Sequence, residues 1–133
     1  MPLLSILLPA CSLERAKPDV GAIATTAVRE ARYSGAPNDP LQATCQRWTL
    51  TPAQVERFFA ISQRYSDSPY GSFYQLPCDI SGTILVEQRT WEFQINGGGT
   101  ATWVRGNEVR HWGCSAKECE PLVLLLTDGM SGE

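Results

Sequence analysis

From Ile80 to Trp112 apolar residues recur at every second position, interrupted only by turns rich in glycine and asparagine, and this pattern confines the chain to an antiparallel meander. Trp91, Phe93 and Ile95 alternate with Glu92, Gln94 and Asn96, as a strand with one buried face requires. Thr83–Glu87 reads as the strand before it, turning at Gln88-Arg89. Asn96-Gly97-Gly98-Gly99 supplies residues that accept the positive φ of a tight hairpin. Thr100–Arg105 then makes the next strand, Gly106-Asn107 the next turn, and Glu108–Trp112 the fourth strand. Pro121–Leu126 reads as a fifth, buried on both faces.

One segment carries a full set of helix signals. Thr51 can cap, Pro52 sits where a missing N–H costs nothing, and Gln54 completes a capping box. Val55, Phe58, Phe59 and Ser62 share a face, and the helix should end near Tyr65, before Ser66-Asp67-Ser68-Pro69. The expected fold is therefore α+β: a four- to five-stranded antiparallel meander sheet packed against one main helix and stabilised by disulfides.

Short loops set an expected register with Val86 opposite Trp91, Ile95 opposite Thr100 and Val104 opposite Val109. One face then collects Ile84, Val86, Trp91, Phe93, Ile95, Thr102, Val104, Val109 and His111, and the helix covers it. The other face collects Glu92, Gln94, Ala101, Trp103, Arg105, Glu108, Arg110 and Trp112. Two tryptophans among charged residues make Trp103, Arg105, Arg110 and Trp112 the candidate partner-binding patch. The competing reading is a second core, with the N-terminal region or the Leu122–Leu126 segment packed over those rings.

The five cysteines are Cys11, Cys45, Cys78, Cys114 and Cys119, and the odd number needs explaining. Cys11 follows an apolar run, Leu3-Leu4-Ser5-Ile6-Leu7-Leu8-Pro9-Ala10, which is the shape of a bacterial lipoprotein signal with Cys11 as the lipid attachment point. The run is short and lacks a positively charged start, which a start codon placed too far downstream would explain. The rival reading is a frayed apolar end with a free thiol. Four cysteines remain, with three ways to pair. A local bridge between Cys114 and Cys119 leaves Cys45 to join Cys78 across the helix. A zinc site fits poorly, because the only close pair is spaced C-x4-C and structural zinc sites present two knuckles.

The boundaries that follow are an export signal over 1–11, a tether or edge segment over 12–42, one α+β domain over 43–127 and a tail over 128–133. Within 12–42, Val20–Tyr33 suits either a helix or a strand, and Gly35–Pro40 reads as a loop.

Chemistry is sparse. A net charge of −3 without a basic stripe argues against nucleic acid as a partner. One histidine excludes any site built from two imidazoles. No nucleophile elbow, phosphate loop or zinc helix occurs, and Gly97-Gly98-Gly99 continues into a strand rather than the helix a phosphate cradle needs. His111 reads as a partly buried sheet residue, and Asp67, Asp79 and Asp128 as turn residues. No catalytic residue, metal ligand or cofactor site is assigned.

Cys45-Gln46-Arg47-Trp48 through Phe59, Leu76-Pro77-Cys78 with Gly82 and Thr83, Trp91 through Thr100, then Gly113-Cys114 and Cys119 form a pattern over about residues 45–126. It resembles a family of small, poorly characterised cell-envelope proteins of Gram-negative bacteria, many of them lipoproteins. The resemblance implies export and paired cysteines, and it brings no catalytic residues. The expected function is an exported periplasmic binding or inhibitory module without catalysis, such as an immunity protein against a periplasm-acting toxin, with a protein partner and a lipid anchor as the only membrane contact. A structural envelope lipoprotein is the alternative and a hydrolytic enzyme the third reading.

Overall fold

The computed structural model describes residues 22–128. In chain order they form β1 (Ile23–Val28), β2 (Arg32–Tyr33), α1 (Pro40–Arg47), α2 (Pro52–Ile61), β3 (Gln63–Tyr65), β4 (Cys78–Val86), β5 (Arg89–Asn96), β6 (Thr100–Arg105) and β7 (Glu108–Gly113). Short 3-10 segments run over Tyr70–Ser72 and Lys117–Leu122. The strands build a seven-stranded sheet in the order β1-β4-β5-β6-β7-β3, with β2 pairing to β4 beside β1. All pairings are antiparallel. The α+β class and the β4–β7 meander agree with the sequence pattern, and three further short strands widen the sheet.

Both helices start on capped ends. Thr51 Oγ1 accepts from the Gln54 N–H and the Gln54 side chain accepts from the Thr51 N–H, which completes the capping box. Asp39 caps α1 by accepting from the Leu41 N–H, with Pro40 in the first turn. α2 stops at Ile61 rather than near Tyr65, because Gln63–Tyr65 pairs with β7 as an edge strand.

The register differs at two hairpins. Glu87 and Gln88 both take positive φ, the pattern of a type I′ turn, so Val86 faces Arg89 and Ile84 faces Trp91. That slip is two residues and keeps the same side chains inward. At the glycine loop Ile95 faces Ala101, not Thr100, and this slip is one residue. A one-residue slip sends every side chain of β6 and β7 to the opposite face. Trp103 and Trp112 therefore join Trp91, Phe93 and Ile95 under α2, while Thr102, Val104, Val109 and His111 face away.

Phe59 of α2 sits at the centre of this core, with its ring edge-on to Phe93, Trp103 and Trp112 at centroid distances of 6.0, 5.4 and 5.9 Å. Trp91, Trp103 and Trp112 form a row with separations of 5.6 and 4.7 Å. Two bridges pin the periphery. Cys45–Cys78 ties α1 to the start of β4, and Cys114–Cys119 closes the loop after β7. All four cysteines are fully buried. Trp48 Nε1 donates to the Leu122 carbonyl and anchors the C-terminal segment to the helical side.

Two other expectations change. The boundary at residue 43 moves: the 12–42 segment contributes β1, an edge strand of the sheet, together with β2 and the start of α1, so the folded unit begins well before it. Pro121–Leu126 is not a fifth strand: its first two residues end a 3-10 segment, and Val123–Leu126 runs on without regular pairing, the Leu124 and Leu125 N–H groups both meeting the Gly97 carbonyl. The export signal with Cys11 and most of the 128–133 tail lie outside the described residues.

Candidate functional site

On the sheet face away from α2, alternation places Ser81, Gln94, Thr102, His111 and Tyr65 in one cross-strand row. Directly opposed residues of this kind carry Cβ atoms about 4.5–5.5 Å apart, so their polar ends work as one surface. Asp79 and Asn96, a facing pair, flank the row on β4 and β5. The loop between β3 and β4 rises over this surface and contributes Ser68, Pro69 and Gln75. Between loop and sheet lies a groove of about 250 Å³, lined on its sheet side by Asp79, Gln94, Asn96, Thr102 and His111 and by the adjoining start of β6.

Asn96 fixes the loop to the sheet. Its Oδ1 accepts from the N–H groups of Leu76 and Gly98, and its Nδ2 donates to the Leu76 carbonyl and to Asp79 Oδ1. Gly98 lets the backbones meet: a Cβ there would lie 1.9 Å from the Tyr74 carbonyl oxygen. Phe73, buried, packs across Gly99 and Gly113, and Thr127 Oγ1 donates to the Ser72 carbonyl. The groove wall is thus held at both ends of the loop.

The lining offers amides, hydroxyls, one carboxylate and one imidazole. Burial pushes the Asp79 carboxyl above its ordinary range, against hydrogen bonds from Asn96 and Gln94 and the Arg32 guanidinium, which favour the charged form. Among the described residues no group of three or more His, Cys, Asp or Glu side chains is placed to share a metal ion.

The patch expected from Trp103, Arg105, Arg110 and Trp112 requires correction. Trp103 is 0% and Trp112 1% exposed, both inside the helix-covered core, so neither ring can anchor a partner. The one-residue slip at the glycine loop is the cause. The arginines stay near the surface and close the core: Arg110 lies 4.5 Å and Arg105 5.8 Å from the Trp91 centroid, and Arg64 lies 5.9 Å from that of Trp112. Glu108 faces both Arg105 and Arg110 at 4.0 and 3.4 Å. Of the groove residues, Gln94 and Asn96 stand out in the sequence as polar alternation; Asp79 belongs to β4 rather than to a turn, Thr102 faces away from the helix rather than toward it, and their joint placement depends on the register. No family model, curated protein or solved structure matches the chain.

Proposed function

We propose that this protein is an exported binding or inhibitory module of an oxidising compartment, the bacterial periplasm, and that it acts by holding a partner protein's side chain in the polar groove. The observation that carries this reading is the groove's size and lining. At about 250 Å³ it falls below the roughly 300–1,000 Å³ and mostly apolar walls usual for whole small-molecule ligands. One or two inserted side chains fill such a space and satisfy its amides, hydroxyls and imidazole. Two buried disulfides support an oxidising compartment. Lipid attachment at Cys11, read from the apolar run that precedes it, and a role as immunity protein, which acts through a surface rather than a catalytic site, belong to the same reading.

A photo-crosslinking residue placed at Thr102 in cells tests it. The expected result is one defined protein adduct, lost when Gln94→Arg fills the groove, with no adduct from the same probe at the solvent-facing Ala53 of α2. Equal labelling from both positions, or none from Thr102 in the exported protein, would refute the reading.

A further inference from the structure

A second recess lies at the sheet edge, beside the groove but separate from it. It measures about 340 Å³ and is lined by Arg64, Tyr65, Ser66, Val109 and Arg110. Its origin is a mismatch of strand lengths: β3 stops at Tyr65, opposite His111, while β7 continues to Glu108. Arg105 and Glu108 flank the two-residue turn between β6 and β7 and form its inner pair. Alternation then turns the N–H and C=O of Val109, His111 and Gly113 toward β3. Tyr65 and Gln63 answer His111 and Gly113, and Val109 has no strand opposite.

Two cations converge on this notch. Arg64 faces Trp112 across the ladder, and Arg110 is its diagonal neighbour on the same face, a placement that sets such residues about 7–8 Å apart, within reach of long side chains. Both guanidiniums lie against indoles, Arg110 over Trp91 at 4.5 Å and Arg64 over Trp112 at 5.9 Å. Arg110 turns its Nε and Nη2 to Glu108 Oε2 at 3.4 Å, which leaves its Nη1 for a ligand, while Arg64 has no side-chain hydrogen bond among the described residues. Glu108, a carboxylate nearby, already serves Arg105 and Arg110, and exposed Asp67 follows Ser66 in the chain. Arg64 has no ion pair among the described residues, and the recess contains no acidic side chain.

We propose that this notch is a carboxylate site that receives an acidic side chain from an extended protein segment laid along the free edge of β7. The segment's backbone meets the N–H and C=O of Val109, as in strand addition, and its carboxylate lies between Arg64 and Arg110. This goes beyond the groove reading, and neither depends on the other.

The test is titration of the intact disulfide-bonded protein with two blocked pentapeptides of β-branched residues, one with a central glutamate and one with glutamine. The glutamate peptide is expected to bind about tenfold or more tightly, in line with a charge-assisted pair, and to weaken as salt rises. Arg64→Gln, at an exposed position that leaves the core intact, removes most of that preference. Thr102→Ala in the groove leaves it unchanged. Thermal melts of each variant separate lost binding from lost folding. Equal affinity for the two peptides, no binding of either, or undiminished preference in Arg64→Gln overturns the proposal. Displacement of the peptide by equimolar inorganic phosphate would also overturn it, in favour of a free-anion site.

Discussion

Trp103 and Trp112 bury their indole N–H groups with no hydrogen-bond acceptor among the described residues, whereas Trp48 Nε1 donates to the Leu122 carbonyl at 3.1 Å. Replacing each tryptophan by phenylalanine separates ring packing from N–H satisfaction. The smaller ring leaves a void of roughly 40 Å³, which at about 24 cal/mol per Å³ costs about 1 kcal/mol. At Trp103 the change also removes a buried unpaired donor, a relief of about 1–3 kcal/mol. The two effects oppose, so Trp103→Phe should be neutral or slightly stabilising. At Trp48 they add: the void remains and the Leu122 carbonyl loses its partner, for a loss of about 2–4 kcal/mol. A gap of about 2 kcal/mol or more corresponds to roughly 8–16 °C in melting temperature for a domain of about 100 residues. Thermal melts with denaturant titrations measure it directly. If Trp103→Phe loses as much as Trp48→Phe, the Trp103 N–H is bonded in solution, to a ring face for instance, and the reasoning fails.

Removing Cys45–Cys78 should cost about 4 kcal/mol and removing Cys114–Cys119 about 2, because the bridges span 33 and 5 residues and the longer loop restricts the unfolded chain more. Paired serine variants in urea check the order, and non-reducing peptide maps should recover the same two pairs. Gly82→Ala should fail to fold or melt far below the parent, since the added Cβ would lie 2.0 Å from the Ala27 carbonyl oxygen, backbone that cannot yield. A parent-like melt would sink the β1–β4 packing described above. For Asp79 the sign follows from burial: the folded carboxyl titrates above its unfolded value, so the folded state holds the proton more tightly. Its contribution to stability is present below the unfolded pKa and is lost as pH rises through the folded one. Asp79→Asn should therefore gain on the parent between acid and neutral pH, and a gain that shrinks with rising pH would contradict the assignment.

The meander was legible because strand alternation and turn chemistry agree over β4–β7. The capping box of α2 and the cysteine pairing were legible for the same reason: each rests on adjacent residues or on counting. The inward face of β6 and β7 was not. It depends on whether Asn96–Thr100 spends an even or odd number of residues in turning, and three consecutive glycines accept either geometry. β6 also carries Trp103 and Val104 side by side, so hydrophobicity alone does not choose between its faces. The bulk of two indoles against Thr102 and His111 was the available signal, and it favours the observed side. β2 and β3 span two and three residues, too short for a period, and exist through pairing with β4 and β7. The groove could not be foreseen without both the register and the Asn96 bonds that seat the loop.

The row of Trp91, Trp103 and Trp112, with centroids 5.6 and 4.7 Å apart and mutual tilts of 50° and 43°, has an optical consequence. Indole transition dipoles this close and obliquely crossed exchange excitation, and coupled chromophores of fixed chirality split their circular dichroism into a couplet of opposite signs. The couplet requires a locked mutual orientation, so a collapsed state with native-like secondary structure but loose packing loses it first. Trp103→Phe removes the middle member of the row and should abolish most of the splitting even where stability is unchanged. The protein thus carries its own spectroscopic gauge of whether β6 and β7 face the helix.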